Sequence, residues 1–177
     1  ISVGIGVAGV INSESVSGMG IDANLTFQPS ERLNFGLSVG WNDLTFDSDV
    51  LELGTVLFEK GNRLNQSPEY TAGVTAEYMF PLDSFGLDNL TGRISASANY
   101  SSEQVRRFLF GTLQTTESDE ILHANINVSV ESDQWTTSLF VNNLANEDGR
   151  VEPATGAFSP PARLRPRTIG LQVSFEY

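Results

Sequence analysis

Apolar and polar residues alternate along most of this chain with a period of two. The last stretch shows it most clearly: Ile169, Leu171, Val173, Phe175 and Tyr177 fall on one face, opposite Thr168, Gly170, Gln172, Ser174 and Glu176. Such alternation marks a strand whose faces meet different environments. The pattern recurs about eight times and predicts antiparallel strands separated by turn-forming segments. The predicted strands cover 1–11, 21–28, 33–42, 70–80, 90–100, 122–130, 135–142 and 167–177. In the first of these the second face is mostly glycine and alanine, and Phe140 is the one bulky residue on the polar face of its strand.

The composition of the polar face decides what solvent it meets. A soluble sandwich or ligand-holding barrel turns its apolar face inward and covers the other with charge. Here the polar positions are mainly Ser, Thr, Asn and Gly, charges gather in the connections, and Lys60 is the only lysine. A transmembrane barrel accounts for this better: apolar side chains meet lipid and polar ones face a wet or protein-filled lumen. The aromatics sort in the same way. Trp41, Tyr70 and Tyr100 sit beside long connections, whereas Phe27, Tyr78, Phe80, Trp135, Phe175 and Tyr177 sit beside short turns or the terminus. Two aromatic levels flanking an aliphatic band are expected at the two membrane–water interfaces. The connections alternate too: 29–32, 81–89 and 132–134 are short, while 45–65, 101–119 and 144–165 are long. Outer-membrane barrels have short periplasmic turns and long extracellular loops.

Composition narrows the remaining classes. The net charge of −12 over 177 residues argues against nucleic acid, which needs a basic stripe. Without cysteine there is neither a disulfide framework nor a thiolate metal site. No apolar run is long enough for a membrane helix, but barrel strands need only about 9–11 residues each. The chain carries no export signal and opens within an alternating stretch, so the expectation is the C-terminal part of a longer protein.

Several motifs carry a resemblance to a known family. Ser17-Gly18-Met19-Gly20-Ile21-Asp22 is a glycine-led strand entry, and Gly61-Asn62-Arg63-Leu64-Asn65-Gln66-Ser67-Pro68-Glu69-Tyr70-Thr71 is a loop in which Pro precedes a strand. Val141-Asn142-Asn143-Leu144-Ala145-Asn146 ends the penultimate strand in an "N-L-x-[ND]" corner, and Arg165-Pro166-Arg167-Thr168-Ile169-Gly170-Leu171 leads to the terminal Phe175-Glu176-Tyr177. In order and spacing these resemble the C-terminal barrel portion of TonB-dependent outer-membrane receptors, over nearly the whole chain.

The resemblance implies an all-β, antiparallel, up-and-down transmembrane barrel segment with its apolar face outward. It would be the C-terminal arc of a barrel of about 22 strands around a plug domain. The implied function is active uptake of a scarce bulky nutrient, such as a ferric siderophore, energised through TonB. Implied partners are the lipid bilayer, lipopolysaccharide, the plug and remaining strands, the TonB complex through the plug, and the barrel-assembly machinery. The terminal aromatics Phe175 and Tyr177 would be read by that machinery. No cofactor and no enzymatic activity are implied.

An arc of strands in lipid must still satisfy its edges, because each unpaired backbone group there costs several kcal/mol. Either missing strands pair with them or the first strand pairs with the last. A barrel of about eight strands is the smallest that closes, leaving a self-closed structural or adhesive barrel as the alternative. The inward glycines Gly4, Gly6, Gly36, Gly40, Gly73 and Gly170 fill a narrow lumen poorly, favouring the wide plugged barrel.

Candidate chemistry is sparse. Gly4-Ile5-Gly6-Val7-Ala8-Gly9 has dinucleotide-fingerprint spacing, but the residues after it lack helical period. His123 stands alone among asparagines on a polar face. Acidic groups cluster in the connections: Asp43, Asp47, Asp49 and Glu52; Glu117, Asp119 and Glu120; Glu147, Asp148 and Glu152. These read first as solvated loops, with divalent-cation bridging to lipopolysaccharide as the sharper expectation. Arg106, Arg107, Arg163 and Arg165 are the candidate contacts for an anionic ligand, since the guanidinium fork suits carboxylates and phosphates.

Overall fold

The computed structural model describes residues 15–83, 86–154 and 160–176. Its main element is a curled sheet of seven strands: β1 (Val16–Ser30), β2 (Leu33–Phe46), β5 (Tyr70–Pro81), β6 (Thr91–Ser101), β9 (Ile121–Glu131), β10 (Trp135–Asn142) and β11 (Thr168–Phe175). Between them lie two hairpins, β3 (Val50–Glu52) with β4 (Thr55–Phe58) and β7 (Val105–Phe110) with β8 (Thr112–Glu117). The sheet order is β1-β2-β5-β6-β9-β10-β11, and each neighbouring pair is antiparallel. This is the expected up-and-down meander. The predicted strand over 1–11, with Gly4 and Gly6, lies outside the described residues, as does Tyr177.

Register turns the sequence alternation into two surfaces. One row running through all seven strands reads Phe27, Phe35, Ala76, Ala96, Ile126, Val141 and Ile169. The row one residue away reads Thr26, Gly36, Thr75, Ser97, Asn125, Asn142 and Thr168. Because successive side chains in a strand point oppositely, the first row lies wholly on one face and the second wholly on the other. A concavity of about 500 Å³ opens on the polar face and draws on residues from β2, β5, β6, β9, β10 and β11. The sheet therefore curls with its polar side inward.

The apolar face is uncovered. Leu25 is 61% exposed, Leu139 53% and Leu171 69%, and Ile21, Leu37, Val74, Ile94, Val128 and Val173 are exposed with them. No soluble fold leaves an aliphatic band of this extent in water. The buried hydrophobics among the described residues are Phe46, Val50, Leu57, Phe58, Leu82 and Ile121, all at strand ends or in connections. The aliphatic faces thus point out of the barrel toward hydrocarbon, and among the described residues no hydrophobic core lies behind the sheet.

Two cross-strand devices adjust this plan. Phe140, the bulky residue on the polar face, lies over its partner Gly170, whose missing side chain leaves room for the ring. On the lipid face Phe80 covers its partner Gly92 in the same way: a Cβ there would lie 2.5 Å from the ring. Such aromatic–glycine pairs cover exposed backbone and pin register.

The strands exceed their sequence-derived limits at the long-loop end. β1 and β2 stay paired up to Val16 and Phe46, beyond the alternating segments. The stretch 45–65, expected as a plain connection, holds the β3–β4 hairpin, with Leu53 (φ 50°) and Gly54 (φ 80°) at its tip. Two consecutive positive φ values make the tight turn that matches strand twist. Phe46, Val50, Leu57 and Phe58 form a small core there, with Val16 and Leu64 against it and the Phe46 and Phe58 rings stacked at 4.4 Å. Among the described residues β1 and β11 end the sheet and do not pair with each other; the first predicted strand, whose pairing with the last would close a small barrel, lies outside them.

The Asn143 corner organises the chain after β10. Asn143 is 1% exposed with φ at 56°, a conformation asparagine tolerates. Its Nδ2 donates to the carbonyls of Glu147 (2.7 Å) and Arg165 (2.8 Å), and its Oδ1 accepts from Glu147 N (2.8 Å). Both ends of the third long loop are thereby tied to one amide. Asn146, also at positive φ (57°), accepts from the Arg167 backbone N–H at 3.0 Å, just ahead of β11.

Two outcomes are expected for the complete, membrane-assembled protein. Leu171→Arg should cost about 2–4 kcal/mol in a denaturant titration in lipid vesicles, while Gln172→Arg, one residue away but inward, should be tolerated. Asn143→Ala leaves buried backbone groups unpartnered, at about 1–3 kcal/mol each. It should speed hydrogen exchange around Glu147 and Arg167 without altering β5 or β6.

Candidate functional site

Two regions carry the chain's polar chemistry: the inner wall and the crown of long connections. The inner wall is mostly neutral, with amides and hydroxyls such as Asn34, Thr75, Asn125, Asn142 and Gln172 around the concavity. His123 lies on this wall, paired in register with Asn99. The notable charges stand at the short-turn end. Arg93 on β6 donates from Nε to Glu131 Oε1 (2.7 Å) and from a terminal nitrogen to Glu131 Oε2 (3.0 Å). Its other terminal nitrogen meets Glu77 Oε2 at 3.0 Å, and Ser129 donates to Glu131 at 3.1 Å. This cluster ties β5, β6 and β9 on the lumen side. Sequence reasoning missed it. Its signal is charge on an otherwise neutral polar face, less conspicuous than the arginines grouped in the connections.

The crown is built by its connections holding one another. From the first, Asn65 bonds the β7–β8 hairpin both ways: its Nδ2 donates to Arg107 O (3.0 Å), and its Oδ1 accepts from Arg107 N (2.9 Å). Arg106 donates to Gln66 Oε1 at 3.1 Å, and the Arg107 guanidinium donates to Asn62 Oδ1. In turn the hairpin meets the third connection, where Thr116 donates to Ala154 O at 3.1 Å. Arg150 grips Asp119 with its backbone N–H (2.8 Å) and its guanidinium (2.6 Å).

The four candidate arginines therefore fall into two pairs. Arg106 and Arg107 are half-buried between connections, and the bonds described for them run to amides. Arg163 and Arg165 are exposed; Arg163 donates to the Asp148 carbonyl at 2.8 Å, and the Arg165 carbonyl accepts from Asn143. Among the described residues the arginines seen in ion pairs, Arg93 in the wall and, in the crown, Arg63 with Asp43 at 3.3 Å and Arg150 with Asp119, stand outside the candidate set. Sequence spacing could not join Arg150 to a residue that β9 and the long connection bring beside it.

The acidic groups of the crown take separate partners. Asp47 accepts from Ser15 (2.5 Å) and Ser17, which hold its carboxyl below the usual carboxylate range. Asp49 accepts from the Lys60 backbone N–H at 2.7 Å. Among the described residues no group of three or more acidic, histidine or cysteine side chains converges on a point suited to a metal ion.

The expected interface aromatics lie at the two ends of the sheet. Trp41 pairs with Tyr70, and Tyr100 pairs with Ala72 beside them at the long-loop end. At the other end the Tyr78 and Phe80 rings stack at 5.7 Å and Trp135 pairs with Phe175.

Asp119 offers a pH test of the crown. The Arg150 guanidinium, then its backbone N–H, hold the carboxyl down at about 2. A lowered folded-state pKa contributes stability above the ordinary carboxyl range, and that contribution is lost as pH falls through the lowered value. Limited proteolysis should therefore show an intact third connection down to about pH 4, with cleavage rising toward pH 2. In Asp119→Asn the same cleavage should already appear at neutral pH. Equal resistance of both proteins at neutral pH would contradict the latch.

Comparison with known proteins agrees with this geometry. The family model "TonB dependent receptor-like, beta-barrel" matches residues 3–144. No curated protein matches the chain. Among solved structures, the siderophore receptor PiuA from Acinetobacter baumannii superposes with a TM-score of 0.67 at 16% identity. The match covers 92% of this chain and 22% of that one, so the chain corresponds to about a fifth of that receptor's length. At this identity the likeness concerns the fold. With the family model spanning most of its length, the chain belongs to the TonB-dependent receptor β-barrel family, whose members are outer-membrane proteins.

Proposed function

We propose that this chain is the C-terminal wall, residues 1–177, of a TonB-dependent outer-membrane transporter that takes up a scarce, bulky, anionic nutrient such as a ferric siderophore. The observation that carries the reading is the curled sheet with a lipid-ready exterior and a neutral polar interior, within a receptor-barrel family. Such a wall is suited to surround a plug domain, and β1 and β11, which end the sheet among the described residues, are suited to pair with further strands of the same receptor. Energy would arrive through the plug from the TonB complex. The wall itself has no catalytic work to do.

Within this reading the crown meets the ligand from outside. Arg163 and Arg165 are the exposed contacts for an anionic chelate, whereas Arg106 and Arg107 chiefly shape the crown through Gln66 and Asn62. Trp41, Tyr70 and Tyr100 mark the outer membrane–water interface, and Tyr78, Phe80, Trp135, Phe175 and Tyr177 the inner one. Phe175 and Tyr177 also present the terminal aromatic signal to the barrel-assembly machinery. Lipopolysaccharide would surround the long-loop end.

The test uses the complete receptor in cells. It should accumulate labelled ferric chelate only while TonB is present. Arg163→Gln with Arg165→Gln should weaken binding about 10- to 100-fold, as expected for losing hydrogen bonds to a charged group. Accumulation independent of TonB, or chelate affinity unchanged by the double substitution, would contradict the proposal.

A further inference from the structure

The β3–β4 hairpin is apolar on both of its faces. Its register skips Leu57, a β-bulge that turns Leu57 and Phe58 to the same side as Val50. Those three side chains are buried in the small core with Phe46. Leu51 and Val56, partners across the hairpin, lie on the opposite side and are exposed, Leu51 at 56%. Leu53 at the tip is 91% exposed. A hairpin that met only water would carry polar residues at these three positions without cost to its core. At the tip an aliphatic residue is even disfavoured, because a φ of 50° suits asparagine or glycine.

The register of β1 and β2 determines where this bare side looks. Val16 and Phe46 are partners, and by alternation they share the inner face with Asp22, Asn24, Gly36 and Ser38. Ser17, Asp43 and Thr45 hold outward positions. The hairpin packs on Val16 and Phe46, with the Phe46 and Phe58 rings stacked at 4.4 Å, so it leans over the inside of the wall. Its bare side therefore borders the mouth of the barrel rather than the lipid. Glu52 carries the only charge in residues 50–58, and that charge is negative. It repels an anionic group and leaves the aliphatic side chains to something uncharged.

We infer that Leu51, Leu53 and Val56 seat an aliphatic chain of the transported chelate, so that the cargo is amphiphilic, with an anionic iron-binding head and an alkyl tail. The inference rests on the transport reading above and adds the tail to it. The head goes to Arg163 and Arg165, whose charge attracts it, and the tail lies on the hairpin, whose charge turns the head away. The core beneath the hairpin and its tight turn hold the three side chains in place before the tail arrives, so little freedom is lost on contact.

The experiment uses the complete receptor in cells with and without TonB, and two synthetic ferric tris-catecholates that differ only in an octanoyl chain. Burying about two methylene groups of that chain should make the octanoyl chelate bind about tenfold tighter than its bare counterpart. Both should accumulate only with TonB. Combining Leu51→Thr, Leu53→Asn and Val56→Thr leaves the Phe46 core untouched, keeps β-branched residues in the strands and puts asparagine at the positive φ. This variant should bind the two chelates alike, with the affinity of the unaltered receptor for the bare one. Should it fail to assemble, Leu53→Asn alone should narrow the preference about threefold. TonB-dependent uptake of both chelates with equal affinity by the unaltered receptor leaves the transport reading standing and overturns the inference. An unchanged preference in an assembled variant also overturns it. So does an equal loss of both chelates, which would mean that the bare side packs on another part of the receptor. Uptake of neither chelate, or uptake without TonB, overturns the transport reading and the inference with it.

Discussion

The structure depends on the requirement that no backbone N–H or C=O be left unpaired in hydrocarbon. Within the membrane there is no water to accept these groups, so each strand must find both neighbours laterally. That demand accounts for the continuous pairing across the seven-stranded sheet and for the aromatic ring laid over the bare backbone of Gly92 on the lipid face. It also explains why the sheet has no apolar core of its own. Lipid supplies the apolar surroundings, and among the described residues β1 and β11 each have one strand neighbour in the sheet.

Above the membrane the rules change, and so does the chemistry. Water can solvate a loose connection there, so order must come from local packing and polar bonds. The β3–β4 hairpin folds Phe46, Val50, Leu57 and Phe58 into a core, Asn65 clasps the β7–β8 hairpin, and Arg150 latches the third connection to Asp119. A crown held in this way can present Arg163 and Arg165 while fixing Arg106 and Arg107 between connections.

The strands were legible because a period of two is written residue by residue: the Phe27-to-Ile169 row is the alternation of the sequence set side by side. The hairpins were not. β3 and β4 are only three and four residues long, and their turn places Leu53 at positive φ, where a glycine or asparagine would have been the recognisable sign. The Asn143 corner was visible as a motif, but its purpose, tying Glu147 and Arg165 to one amide, needed the chain's return path. The Arg93 and Arg150 ion pairs escaped for the same reason, since each joins residues 31 or more positions apart, or reaches diagonally across strands.

Spin labels on single cysteines placed in turn along β10, from Thr137 to Val141, test the facing of the wall most directly in the reconstituted receptor. Collision rates with oxygen, which dissolves in hydrocarbon, and with a water-soluble nickel chelate should oscillate with a period of two and in opposite phase. Oxygen should dominate at 137, 139 and 141, and the polar relaxant or protein contact at 138 and 140. The reverse phase, with Leu139 shielded from oxygen and Ser138 open to lipid, would contradict the account.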